Sequence, residues 1–493
     1  MKDKELRGFE FILIANQMLS IFKLSEPKVI NDIPWLKFLD DYYFLSVWAF
    51  LICFVGYYRI DGIRINVITV ILAEICIVFQ EYDIISYNYK SYNMMVGLTF
   101  VLLSMIVYYA FPVLRQLLTT GTFKNIGFVS KEISGTQVSV FYPTDEKYTK
   151  NSDVSYMPYS NYFDTLHFIF KRQLGIRITP PKWLIKLSGQ VMVKKLMGVI
   201  NNANLKILNS KMPIVVYSHG LSSNRNYQAS FCKDLASKGC IVISLQHQDE
   251  DYLEKVSLPP KELDFVNTMH QAVIRRKEQV KQVLDFAFDK NKLAKLFKNS
   301  EQIQKSHSFQ LNDKAIICGH SYGGQTAVLC GLDDDRIFAT IALDPVMSIF
   351  DLPSFKPLIE KQVNKPFLIL TSDNFNKYFG WYKQKEGLSK WLSNNTNTKK
   401  LLLALRMKNT EHVDYIDAAL FQPRELQILR KDVYSPNTVS MNLIMINKLA
   451  EFFIFEALQK TPETFDSQRA LDKFDDMCKN AIKETNPLEV LQY

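Results

Sequence analysis

The sequence predicts an α/β domain, a mostly parallel central sheet with helices on both faces, preceded by an α-helical transmembrane region. Three observations carry this. Apolar runs fill the first 120 residues with few charges. From about Gly121 the pattern changes to short β-rich runs separated by polar, helical stretches, the sequence form of strands joined by crossover helices. An apolar strand then runs into a glycine-flanked serine and on into a helix.

The N-terminal region, 1–120, reads as three or four helices. Met94 to Leu114 carries no charged residue and is long enough for a hydrocarbon core of roughly 30 Å. Tyr42 to Tyr58 has tyrosines at both ends, where an interfacial belt places them. Ile65 to Gln80 contains Glu74, which is costly in lipid unless it faces a partner. Phe9 to Phe22 is interrupted by Glu10, Asn16 and Gln17 and fits an interfacial helix as well as a span. The loop with Arg59 and Arg64 reads as cytoplasmic and the one from Glu81 to Asn93, with Lys90 alone, as opposite. The expectation is a multi-pass integral membrane protein whose catalytic domain faces the cytosol.

The second region, 121–460, carries the sheet. Its expected core strands are 137–142, 213–218, 240–246, 315–318, 339–343, 367–371 and 401–406. The remainder, 461–493, is charged and without strand signals, a helical or loose tail. With 47% apolar and 13% aromatic residues the chain is long enough for a large core, which excludes general disorder. The net charge of +9 suits an anionic lipid surface. Phospholipid and a membrane bilayer are the expected partners, nucleic acid is not, and the oligomeric state is left open. The seven Cys are scattered, without a CxxC pair, and read as buried free thiols in a reducing compartment, with no metal site. The triplet Asn394-Asn395-Thr396 has the form of a glycosylation acceptor and favours the opposite compartment.

The chemistry centres on Ala315-Ile316-Ile317-Cys318-Gly319-His320-Ser321-Tyr322-Gly323-Gly324. A nucleophile on a tight strand-to-helix turn has a strained backbone and tolerates little bulk beside it, so Gly319 and Gly323 give the chain room to reverse. Bare G-x-S-x-G also occurs in ordinary turns. The strand before it and the helix after it mark the nucleophile elbow of the α/β-hydrolase fold.

A serine hydroxyl needs an imidazole to take its proton. In this fold the chain order is serine, acid, histidine. After His320 the only histidine is His412, which follows the run Leu401 to Leu405 through a short polar loop. Two aspartates close strands in the required interval, Asp344 after Ile341-Ala342-Leu343 and Asp373 after Leu370-Thr371-Ser372, and the residues alone do not separate them. Asp333, Asp334 and Asp335 read as a solvated loop. The oxyanion amides are expected from Tyr322, after the nucleophile, and Leu221, in the turn Ser218-His219-Gly220-Leu221.

These blocks resemble the platelet-activating-factor acetylhydrolase family, the calcium-independent group VII phospholipases A2. The resemblance runs from about Gly121 to Leu458. It rests on Phe141-Tyr142-Pro143, Tyr159 to Phe163 with Pro180 to Trp183, Pro213 to Leu221 with Asp234 to Gly239, Arg275 to Val280, and Gly319 to Gly324. It implies that Ser321, Asp344 and His412 form the catalytic triad, with Asp373 the alternative acid, and that no cofactor or metal is used. It further implies a serine esterase acting on the sn-2 ester of phospholipids with short or oxidised acyl chains. A general carboxylesterase or triacylglycerol lipase is the rival among enzymes, and a non-catalytic membrane scaffold the rival of another class.

Overall fold

The computed structural model describes residues 119–156, 197–221, 223–248, 262–347, 360–372, 390–395, 401–408, 412–417 and 438–460, with a few shorter pieces elsewhere. The sheet and its helices belong to one compact unit.

The first hairpin pairs β1 (Ile126–Ile133) with β2 (Thr136–Pro143). Its turn, Ser134-Gly135, has positive φ at both residues, the twist that a two-residue hairpin loop requires. Short β3 (Ile200–Asn201) lies parallel to β1 at the sheet edge. Then come β4 (Ile214–Ser218), α1 (Ala229–Ala236), β5 (Ile241–Leu245), the long α2 (Glu262–Ala287), and the short α3 (Lys290–Ala294) and α4 (Ser300–Lys305). The second half runs β6 (Ala315–His320), α5 (Tyr322–Asp333), β7 (Ile337–Leu343), β8 (Phe367–Ser372), β9 (Leu402–Met407), α6 (Thr438–Leu458) and β10 (Leu488–Val490).

These make a ten-stranded sheet in the order β10-β9-β8-β7-β6-β4-β5-β2-β1-β3. The run from β5 to β9 is parallel throughout, while β2 and β10 attach antiparallel. The central strands are buried along their whole length, as IVVYS, AIICGH and FLILTS foretell, because helices cover both faces. Val216 and Ile317 point to the face covered by α2 and α5, where they pack with Val280, Val283, Leu284 and Ala327. Tyr217, one residue on, points the other way and meets Phe231 of α1 edge-on, with ring centroids 5.8 Å apart. A mostly parallel sheet with helices on both sides is consistent with the α/β-hydrolase fold.

Two expectations are corrected. No helix among the described residues is long and apolar enough to cross a membrane, which argues against the integral, multi-pass reading and the cytosolic orientation built on it. The longest described helices show why: α2 carries Arg275, Arg276, Lys277, Glu278, Lys281 and Asp285, and α6 carries Lys448, Glu451 and Glu456. Lys238 and Glu451 pair, tying α6 to the end of α1. The stretches 9–22, 42–58, 65–80 and 94–114 lie outside the described residues. The tail, expected without strands, contributes β10, whose backbone pairs Leu488 with Met407 and Val490 with Leu405 on the open edge of β9. Four cysteines, Cys232, Cys240, Cys318 and Cys330, are buried free thiols, and burial raises each thiol pKa.

Candidate active site

At the carboxyl end of β6 the chain turns into α5 through Ser321, whose φ of 58° and ψ of −121° are a conformation L-residues rarely adopt. The surroundings hold it there. Its N–H donates to Leu343 O at 2.8 Å, and its C=O accepts from Gln325 and Val346 N–H, each at 3.1 Å. The flanking glycines are sterically required. A Cβ on Gly319 would lie 2.1 Å from Gly323 O, and one on Gly323 would lie 2.0 Å from Ser218 O.

Asp344 follows β7 with φ of 44°, a second strained strand end one strand away. Its N–H donates to Leu370 O. Its fully buried carboxylate accepts from Ser372 N–H at 2.8 Å and from Ser372 Oγ–H at 2.6 Å. His412 lies in the 3-10 turn His412–Tyr415 after β9. Its Nδ1 is 2.7 Å from Asp344 Oδ2 and its Nε2 is 2.8 Å from Ser321 Oγ. An ionised carboxylate only accepts, so Nδ1 carries the proton and Nε2 is left free to accept from the serine hydroxyl. Asp373 lies outside the described residues.

The turn carrying His412 is held by residues distant in sequence. His320 Nε2–H donates to His412 O at 3.0 Å, and the two rings are 4.6 Å apart. Burial, with His412 beside it, holds the His320 imidazole well below the usual histidine range, so it stays neutral. Gln228 Nε2–H donates to Tyr415 O, and Asn442 Nδ2–H reaches Asp414. Asp417 accepts from both the N–H and the hydroxyl of Ser230 in the first turn of α1, where the helix dipole favours an anion. Ser372, His320 and Asp417 were not anticipated as site residues. Only His320 sat inside a recognised motif.

Leu221 and Tyr322, the expected oxyanion donors, lie on two segments that meet at the serine. Tyr322 is the first residue of α5, and Leu221 follows Gly220, whose Cβ, if present, would lie 3.2 Å from Ser321 Cβ. Among the described residues no cluster of side chains has the composition of a metal site. Asp333 is paired with Lys277 and Lys361, and Asp334 with Arg336.

A hydroxyl, imidazole and carboxylate in relay at the carboxyl ends of parallel strands is the arrangement of a serine hydrolase site. The chain belongs to the family described as platelet-activating factor acetylhydrolase, isoform II, which matches residues 124–281 and 255–468, more than two thirds of its length. It is similar to the platelet-activating factor acetylhydrolase of Canis lupus familiaris, 27% identical over 272 residues, 49% of this chain and 55% of that one. The Cavia porcellus protein of the same name is 25% identical over 377 residues, covering 70% of this chain and 77% of its own. A putative phospholipase A2 of Schizosaccharomyces pombe is 22% identical over 269 residues, covering 44% of this chain and 61% of that one. The chain spans about half the length of the first of these relatives.

Proposed function

We propose that the stretch 121–460 is an α/β-hydrolase domain that cleaves the sn-2 ester of phospholipids carrying short or oxidised acyl chains. The observation that supports this most directly is the continuous relay Ser321–His412–Asp344, at 2.8 and 2.7 Å, in a chain of this family. The names of the relatives supply the ester class.

In this reading Ser321 Oγ attacks the sn-2 carbonyl carbon while its proton passes to His412 Nε2. Asp344 keeps the imidazole in the required tautomer and stabilises the imidazolium. The backbone N–H groups of Tyr322 and Leu221 stabilise the negative oxygen of the tetrahedral intermediate. Its collapse breaks the ester bond, and the leaving glycerol oxygen takes the proton from His412. Water then attacks the acyl-serine, giving its proton to His412, and the free acid departs as Ser321 recovers its hydrogen. Each of these proton transfers uses a group of the chain itself.

The test is labelling of the folded protein with a fluorophosphonate probe, combined with a panel of acetyl and long-chain phospholipids and triacylglycerol. Labelling lost in Ser321→Ala, together with release of acetate from the sn-2 position, is expected. Equal labelling of Ser321→Ala, or none of the wild type, would mean a scaffold without turnover. Cleavage of triacylglycerol in preference to every phospholipid would overturn the substrate class.

A further inference from the structure

Behind the turn that carries Leu221 lies a buried cation that the steps above do not use. Arg276, on α2, is 1% exposed. Its Nη1–H donates to His219 O at 2.6 Å, its Nη2–H approaches Gly220 O at 3.4 Å, and its guanidinium carbon sits 4.5 Å from the centre of the Tyr322 ring. One side chain therefore touches both residues expected to supply oxyanion amides, or their immediate neighbours.

The rest of the network has a defined proton arrangement. His247 N–H donates to His219 Nε2 at 2.9 Å, so His219 carries its proton on Nδ1 and donates it to Gly220 O at 2.7 Å. His247 in turn bridges Gln279 Oε1 at 2.7 Å and Ser218 Oγ at 2.8 Å. Burial, then the neighbouring Arg276 and His219, hold His247 well below the ordinary imidazole range, so it stays neutral. The positive charge in this cluster is therefore that of Arg276.

The peptide unit is planar and trans, so its C=O and N–H point to opposite sides. With the Gly220 carbonyl accepting from His219 Nδ1–H, from Ser223 N–H at 3.2 Å and, at 3.4 Å, from Arg276, the N–H of the same peptide, that of Leu221, is turned away from them. Gly220 lies against Ser321, its absent Cβ 3.2 Å from Ser321 Cβ, so this peptide borders the nucleophile.

We propose that Arg276 is a positioning residue for the oxyanion-stabilising amides, clamping the His219 and Gly220 carbonyls on one side and the Tyr322 ring on the other. The proposal rests on the serine-esterase reading of Ser321. A planar fork spans two carbonyls and stacks on a ring, and a lysine ammonium does not reproduce that geometry.

The experiment compares wild type, Arg276→Lys and Arg276→Met for ester hydrolysis and for inhibition by a trifluoromethyl ketone analogue of the substrate. In the adduct Ser321 Oγ bonds to the ketone carbon, its proton passes to His412 and the ketone oxygen becomes the oxyanion. Loss of an amide donor of this kind costs about a hundredfold in kcat. The expected result is a fall of that order in kcat with KM within about threefold, a matching loss of ketone affinity, and a smaller deficit in Arg276→Lys. Folded variants with unchanged kcat and ketone affinity would overturn it. So would failure of both variants to fold, which would assign Arg276 to stability alone. If the wild type itself neither turns over nor binds a fluorophosphonate, the esterase reading falls first, and the proposal with it.

Discussion

The nucleophile elbow and the turn that carries His412 meet at one hydrogen bond, but they are held in place by different physics. The elbow is local. Its pattern lies in six consecutive residues, Gly319 to Gly324, and its two glycines leave room for backbone oxygens about 2 Å from where a Cβ would be, one of Gly323 and one of Ser218 on the neighbouring strand. The His412 turn is held from afar, by Gln228, Ser230, His320 and Asn442, through polar contacts made across the fold. A turn fixed by steric fit and backbone hydrogen bonds tolerates almost no substitution within it but depends little on the side chains of distant residues. A turn held by buried polar groups is open to change at many positions and to protonation.

Asp344 lies between the two regions, so its substitution sets the scale for both. Asp344→Asn should lower kcat about 10⁴-fold while leaving the fold intact, because the wrong imidazole tautomer is then favoured. Steady-state kinetics beside a circular dichroism spectrum checks this. A change smaller than tenfold would move the acid to another residue.

Breaking the elbow comes next. Gly323→Ala forces a methyl into the Ser218 and His219 carbonyl oxygens and should cost about 3 kcal/mol of stability. Thermal and urea unfolding would show it. A fully stable, active Gly323→Ala protein would break the claim that close backbone packing governs this end.

The other side of the comparison is tested at Asp417. Burial raises its carboxyl from 3.8 to about 6, against the opposing hydrogen bonds from Ser230. Because the folded pKa lies above the unfolded one, the native state binds the proton more tightly between those values. The contribution of this group to stability is therefore greatest at acid pH, falls as pH rises through that window and is level above it. Asp417→Asn should abolish that slope in a plot of Tm difference against pH. It should also lower kcat about tenfold by loosening the turn, an effect of misplacement and not of lost chemistry. Parallel Tm curves for the two proteins would show that the turn does not depend on this carboxylate.

The smallest effect is expected far from both regions. Lys206 and Asp145 form an ion pair at 2.7 Å, but the Asp145 side chain is 74% exposed. Lys206→Ala should change stability by less than about 1 kcal/mol and leave kcat unaltered. A larger loss, read by urea unfolding, would mean that surface pairs matter more here than the buried network.

The parallel strands were legible because β4, β6 and β8 are covered on both faces and so appear as unbroken apolar runs. β1 escaped notice because its second half, Ser130 to Glu132, is exposed and polar, and a half-buried strand has no such run. β10 is three residues in a charged tail. Its pairing comes from the open edge of β9 and not from any pattern of its own.

By itself the sequence determined the strand, the serine and the helix of the elbow, because steric demands between neighbouring residues are written in consecutive letters. The chain order of the histidines likewise singled out His412, without saying what holds it. Only the tertiary structure decided that Asp344 lies within hydrogen-bond reach of His412, that Asp417 anchors the turn to α1 and that Arg276 spans Gly220 and Tyr322. Those contacts join residues 46 to 187 positions apart, between groups whose directions are set by the packing of the whole sheet and by no local pattern.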